Sequence, residues 1–314
     1  MVISSIEAES ATTTTGARRR GRAPVPARGK GRGGWVLFIV PSFILVAVFF
    51  ILPFILNVPF AFSGWSSYNN NIDFVGLDNF ELLLGTGQLQ AAIIVTLIYA
   101  VIAMTVQNTA ALSLALALQR TTRGNSFFRS LFFIPVLISP LAAGYIWRAI
   151  VAPEGPLNQF IGLFVPGFEF AWLGNPGFAL FTVAFIDAWK WSGIATLVYI
   201  AGLNSIPASL LEAAAIDGAG PVKRFFSVQL PLLAPAFTFN VATTLIGALS
   251  AFDIIASTTS GGPGSATTTL NVALQQEFQA GFLGSASSIG LTVSVLVIAI
   301  AIPLVAWLRK REVA

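Results

Sequence analysis

Long apolar runs broken by short polar stretches set the pattern of this chain. Six runs reach the length of about 20 residues that crosses a hydrocarbon core of about 30 Å: 35–57, 91–118, 131–150, 178–203, 231–256 and 285–308. The pattern predicts six transmembrane helices and an all-α, polytopic membrane protein. Pro41, Pro53, Pro135, Pro140, Pro235 and Pro303 fall inside these runs, where neighbouring helices can satisfy the carbonyls that a proline frees. Ahead of the first run, residues 1–34 are rich in Thr, Ala, Gly, Pro and Arg and contain no apolar stretch, which predicts a disordered basic tail. A signal peptide does not fit, because the run from Trp35 is too long and five more follow it.

Composition narrows the chemistry. Of 314 residues, 55% are hydrophobic and 10% charged, with a mean hydropathy of +0.81, against about a quarter charged in soluble domains. The chain has no Cys and no His, so thiol chemistry, Cys/His zinc sites and imidazole catalysis are excluded. There is no GxxxxGK[ST] loop and no strand-bound GxGxxG, so no nucleotide site is expected in the chain. No cofactor or metal is expected either. Any energy source belongs to a partner.

The pI of about 9.8 raises nucleic acid as a partner until the cations are placed. Arg18, Arg19, Arg20, Arg22, Arg28, Lys30 and Arg32 precede the first span; Arg120, Arg123 and Arg129 lie between the second and third; Lys223 and Arg224 lie between the fourth and fifth; Arg309, Lys310 and Arg311 follow the sixth. The alternate loops, 58–90, 151–177 and 257–284, contain none. Cationic loops stay in the cytoplasm, so both termini are expected inside and the three cation-free loops outside a bacterial plasma membrane. The basic pI is therefore topology, and no nucleic-acid role is expected. The outer loops carry "FVGLDNF" (74–80), "EGPLN" (154–158), "WLGNPGFAL" (172–180) and "TSGGPGSATTTL" (259–270). Gly-Pro and Asn-Pro mark turns, and Trp172 and Phe178 suit a membrane interface. Plain interfacial turns and docking contacts are both open readings.

One cytoplasmic loop, 204–230, departs from the apolar background. It contains "LLEAAAIDGAGPVKRFFSVQLP" (210–231) and reads as two short helices. Pro207 fits a first helical turn, and Ser209 with Glu212 has the spacing of a capping box. Gly218 or Gly220 can take a left-handed stop, and Pro221 can open the second helix, with Pro231 beginning the fifth span. The string Glu212, Ala213, Ala214, three residues, Gly218, nine residues, then Val228, Gln229, Leu230 and Pro231 resembles the EAA signature of permease subunits of bacterial ABC importers, with Val228 where Ile is usual. The likeness covers roughly 35–311, which is taken as the permease domain, with 312–314 as the C-terminal end. "FVGLDNF", "GPLN", "WLG" and "GGP" stand where such motifs occur in the carbohydrate-importing branch, similar to the maltose and glycerol-phosphate systems. The short basic ending "WLRKREVA" resembles the first of that branch's two paired permeases.

The resemblance implies a type I importer permease fold with a cytoplasmic coupling helix pair. It implies a second permease subunit, two ATPase subunits that bind ATP and Mg, and an extracellular binding protein that delivers a sugar. Glu212 is then the charged contact to the ATPase, Ala213 and Ala214 allow close approach, Gly218 makes the turn, and Asp217, Lys223 and Arg224 form a polar rim. An autonomous secondary carrier or channel is the alternative, but no convincing internal repeat supports it and it leaves the coupling loop unexplained.

Polar groups inside the spans are the remaining candidates. Asp187 and Lys190 lie one turn apart in the fourth span, where a charge costs about 2.5–3.5 kcal/mol on insertion scales. They either pair with each other or, with Trp189 and Trp191 beside the lysine, line a sugar pathway. Asn108, Asn240 and Thr244 also fall within spans, and Asp253 lies near the outer end of the fifth. In the family the cargo touches the spans flanking the coupling loop, which implicates Lys190, Trp191, Thr244, Ala248 and Ala251 by position. The substrate-pathway set is Asp187, Lys190, Trp191, Thr244, Ala248 and Asp253.

Overall fold

The computed structural model describes residues 34–69 and 71–310. The expected tail, apart from Gly34, lies outside the described residues, as do Arg311 and 312–314. The described residues divide into two compact units, one ending at Leu52 and the other beginning at Pro53. In the first, helix α1 (Gly34–Val46) runs into a π-helical turn, Ala47–Ile51. Its large apolar side chains from Ile39 to Ile51 are exposed, as suits a helix whose surroundings are lipid or protein rather than water.

The second unit begins within α2 (Leu52–Ala61) and continues through α3 (Asp78–Gly85), α4 (Gln88–Leu118), α5 (Arg123–Leu137), α6 (Pro140–Ile150), α7 (Pro156–Gly162) and α8 (Pro176–Asn204). Next come α9 (Ala208–Ile216), α10 (Pro221–Arg224), a π-helical turn at Phe225–Gln229, α11 (Leu230–Leu232) and α12 (Ala234–Leu249). The chain ends with α13 (Asp253–Thr258), α14 (Leu270–Gln279) and α15 (Leu283–Arg309). Among the described residues, three continuous helical stretches are long and apolar enough to cross a bilayer: Ile39–Ala61, Gln88–Leu118 and Leu283–Arg309. The other three expected spans fall on bent pairs, α5 with α6 (102°), α8 with α9 (67°) and α10–α11 with α12 (69°).

Local sequence explains the bends. The 131–150 run is not one helix, because a proline pushes its predecessor out of the helical region; Ser139, just before Pro140, sits at ψ 139°, and Ile138 at ψ 138°. The run 231–256 is likewise cut twice. Helix α12 starts only at Ala234 and ends at Leu249, and Asp253 opens the separate α13 rather than closing the span. The wide turn before Pro231 fits a residue that cannot donate a backbone hydrogen bond and whose ring crowds the preceding carbonyl. Ahead of α9, Ser209 makes no capping bond. The helix begins one residue earlier, at Ala208, with Pro207 as its N-cap, so Ser209 lies inside the first turn.

Small residues let the central helices approach. Helix α4 buries Ala92, Thr96, Ala100, Ala103, Gln107, Ala111 and Ala115 along one seam, chiefly against α8. Van der Waals packing of such seams drives helix association in lipid. At Gly193 of α8 an added Cβ would strike the Phe132 carbonyl and lie 3.1 Å from Phe133 Cα, so α5 crosses α8 backbone to backbone. One cluster joins Tyr99, Ile186, Leu249 and Ile255 from α4, α8, α12 and α13. A second joins Leu118, Tyr199, Leu203 and Leu233, with Leu211 of α9 packed on it.

The cation-free loops meet at one end. Ser67 N–H donates to Gly281 O at 2.8 Å and Tyr68 Oη to Ala280 O at 2.9 Å, while a recess of about 410 Å³ opens among Val151, Trp172, Thr259 and Pro263. At the other end of α4, Arg129 donates from Nε and Nη2 to Leu118 O at 2.9 and 2.6 Å and from Nη2 to Gln119 O at 2.9 Å. It thereby covers carbonyls that a helix terminus leaves open.

Candidate functional site

Two helices wall a cleft of about 430 Å³. From α8 come Asp187, Trp191, Ile194, Ala195 and Val198; from α12 and the turn after it come Asn240, Thr244, Gly247, Ala248 and Ala251. Both sets step by four, three, one and three residues, so each is one stripe of a helix of 3.6 residues per turn. Gln107 of α4, Phe239 and Thr243 of α12, and Ser250 and Asp253 close the remaining sides. The lining is aromatic and aliphatic with neutral hydrogen-bonding groups between, and its two charged residues, Asp187 and Asp253, are both acidic.

Second contacts fix the wall. Asn240 Nδ2 donates to Ala195 O at 3.0 Å, locking α12 to α8, and Gln107 Nε2 reaches Trp191 O at 3.5 Å. Asn108 does not line the cleft. Its Oδ1 accepts from Tyr199 Oη at 2.7 Å and its Nδ2 donates to Met104 O at 2.9 Å and to Thr244 Oγ1 at 3.4 Å, a knot joining α4, α8 and α12. Asp187 sits beside Tyr99 and Trp191. Tyr99 Oη is, among the described residues, the one buried side-chain polar atom without a hydrogen bond of good geometry.

Lys190 is buried but turned away from the cleft. Its Nζ donates to Val136 O at 3.3 Å and lies 4.0 Å from the centroid of the Trp191 ring; it forms no ion pair with Asp187 among the described residues. In an unbroken helix Val136 O would accept from the N–H of residue 140, and that residue is Pro140. The ammonium therefore occupies a carbonyl that the broken helix leaves free.

The charged loop lies outside the core. Glu212, Ala213, Asp217, Gly218 and Lys223 are exposed, and Ala214 and Arg224 half-buried. Helix α9 ends in a Schellman turn: Gly218 has φ +78°, its N–H donates to Ala215 O at 3.1 Å, and Ala219 N–H donates to Ala214 O at 2.9 Å. The turn sets α9 against α10 and leaves Ile216 87%, Val222 71% and Phe226 61% exposed. These are large apolar groups at the tip of a charged loop.

Residues 107–312, which span the cleft and the loop, match the model of the family described as binding-protein-dependent transport system inner membrane component. The chain belongs to this family. This permease component is 31% identical over 282 residues to the multiple sugar-binding transport system permease protein MsmF of Streptococcus mutans serotype c, covering 89% of this chain and 96% of that one. It is 31% identical over 292 residues to AmyD of Thermoanaerobacterium thermosulfurigenes, a probable starch degradation products transport system permease protein (90% and 96%). To UgpA of Escherichia coli O6:K15:H31, an sn-glycerol-3-phosphate transport system permease protein, it is 34% identical over 257 residues (81% and 85%). Its fold matches a chain in the crystal structure of a bacterial ABC transporter involved in the import of the acidic polysaccharide alginate, at a TM-score of 0.75 and 21% identity over 88% of this chain and 96% of that one. The permease is a multi-pass membrane protein of the type I importer fold.

Of the six substrate-pathway candidates, the permease brings Asp187, Trp191, Thr244, Ala248 and Asp253 into one cleft and leaves Lys190 out of it. Gln107, Thr243, Ser250 and Phe239 belong to the wall and were not singled out from sequence; the repeat of small and polar residues at 240, 244, 247 and 248 was the available signal. Two motifs of the cation-free loop 151–177 are joined: Trp172 Nε1 donates to Asn158 Oδ1 at 2.7 Å, and Asn158 Nδ2 donates to Pro153 O and Phe170 O at 2.9 and 2.8 Å. "GPLN" and "WLG" thus form one latched loop.

Proposed function

We propose that this permease carries a sugar across a bacterial plasma membrane as one half of a two-permease channel, with both termini in the cytoplasm. An external binding protein delivers the cargo, and two separate ATPase subunits, which hold ATP and Mg, grip the 204–230 loop. The single observation that carries the cargo reading is the lining of the cleft. A volume of about 430 Å³ falls in the range of about 300–1,000 Å³ typical of small-molecule sites. Trp191 and Phe239 offer ring faces to a pyranose, and Gln107, Asn240, Thr243 and Thr244 offer hydroxyl-matching donors and acceptors. The relatives' names span sugars, starch products and a sugar-alcohol phosphate, which supports the class without choosing its charge.

The loop supports the drive. Ile216, Val222 and Phe226 fit the greasy centre of a groove, with Glu212, Lys223 and Arg224 at its polar rim. Closure of the ATPases then moves α9 and α10 as a rigid lever, and the packing of Leu211 under α9 onto the cluster of α4, α8 and Leu233 conveys that motion to the helices that wall the cleft. The test is ATPase activity of the reconstituted complex across a panel of sugars, with Glu212→Ala in parallel. A sugar should stimulate turnover in the wild type, and losing one partner of a buried charge contact should weaken ATPase association by about 2–5 kcal/mol. Uptake by the purified chain without any ATPase overturns the reading in favour of an autonomous carrier.

A further inference from the structure

The sugar reading leaves the charge of the cargo open, and the cleft bears on it. Its charged lining consists of two carboxylates, Asp187 in the middle of α8 and Asp253 at the start of α13, with no Lys or Arg among the lining residues. The nearest cation, Lys190, is close enough to offset part of the Asp187 charge but gives the cleft no donor: it is 1% exposed, donates to Val136 O and lies over the Trp191 ring. Every other polar lining side chain is a neutral amide, hydroxyl or indole. A carboxylate accepts hydrogen bonds from sugar hydroxyls or from a protonated amine, but it has nothing to offer a phosphate or uronate oxygen, which is also acceptor-only.

We propose that this cleft admits neutral or amino-bearing sugars and rejects phosphorylated and uronic-acid sugars, with Asp187 as the charge-selecting residue. The proposal rests on the sugar reading above. Asp187 suits the role better than Asp253, because it is nearly buried, is held beside Tyr99 and Trp191, and lines the cleft next to that indole. Asp253 is exposed at the rim and adds to the same sign of field. With Lys190 offsetting the field of Asp187, the discrimination is one of contact: an anionic oxygen placed against an acceptor-only carboxylate loses a hydrogen bond, at a cost of about 1–3 kcal/mol, or about tenfold and more in affinity.

The experiment measures binding by calorimetry to the intact permease–ATPase complex in nanodiscs, without the binding protein, so that its own selectivity does not intervene. The probes are glucose, glucosamine and glucuronate, each as the monomer and as the 1,4-linked disaccharide, which differ in charge at nearly constant shape. Glucose and glucosamine should bind at least about tenfold more tightly than glucuronate. Asp187→Asn should shrink that ratio to within about threefold, while Asp187→Glu, which keeps the charge, should preserve it. The wild-type ratio alone decides if a variant fails to assemble. Glucuronate binding as well as glucose overturns charge selection and leaves the sugar reading standing. Binding of none of the probes, with no stimulation of ATPase activity by any of them, overturns the sugar reading and this proposal with it.

Discussion

Gly218 gives the sharpest handle on how the loop works, because its substitution cost is purely torsional. The residue sits at φ +78°, and an added Cβ would meet no atom within 4 Å. Crowding therefore contributes nothing, and what remains is the strain of an L-residue in the left-handed region, about 1–2 kcal/mol. Relief is available by unwinding the last turn of α9, but that gives up the two Schellman bonds from Gly218 and Ala219, each worth about 1 kcal/mol. Both routes end near the same figure. Gly218→Ala should sit at its lower end and the β-branched Gly218→Val at its upper end, while Gly218→Asn should fall close to wild type, since Asn visits this region readily. If ATPase docking needs the turn intact, the strain appears as lost affinity, about 5-fold for Ala and up to about 30-fold for Val. Titrating ATPase onto immobilised permease and measuring uptake in the same membranes reads both effects. The reasoning is refuted if Val binds as tightly as Gly, or if Asn is worse than Ala.

Two further outcomes follow from other elements. A double-mutant cycle of Lys190→Met and Pro140→Ala, read by detergent unfolding in mixed micelles, should show coupling of about 1 kcal/mol, because an N–H at position 140 lets the break at Ile138 and Ser139 close into a helical turn that supplies Val136 O and makes the ammonium redundant; strict additivity would remove Lys190 from the helix break. Single cysteines at the exposed Ser67 and Ser265, introduced into a chain with no native Cys, should react with an impermeant maleimide from outside whole cells, and labelling only from the cytoplasmic face would reverse the topology.

The sequence was most legible where physics acts on long stretches. Six apolar runs and the alternation of cationic loops were enough to expect the spans, since hydropathy sums over some 20 residues. Direction was harder. Hydropathy records how long an apolar run is, not whether it bends, and the 102° corner between α5 and α6 was encoded only in the effect of Pro140 on Ser139. The cleft was partly legible, through positions flanking the charged loop. Lys190 and Asp187 looked equivalent because they lie three residues apart, yet one takes up a carbonyl freed across the bundle and the other faces the cavity. Gln107 and Asn108 show the same difficulty, since one step along a helix turns a side chain by about 100°; the first lines the cleft and the second ties three helices together.

Arg129 is one of the cations expected to orient the chain, and its bonds to the end of α4 also tie the start of α5 back onto that helix. The residues it joins are 11 apart along the chain, and Thr122 caps the start of α5 by accepting from Asn125 N–H at 3.1 Å. Contacts this local close early, because little loop entropy stands in their way. The α4–α5 connection therefore carries its own clasp, which can close before α8, the main packing partner of both helices, has been synthesised. Exchanging Arg129 for lysine in a topology experiment would keep the charge but open the clasp, so an insertion defect in such a variant would report on the clasp rather than on orientation.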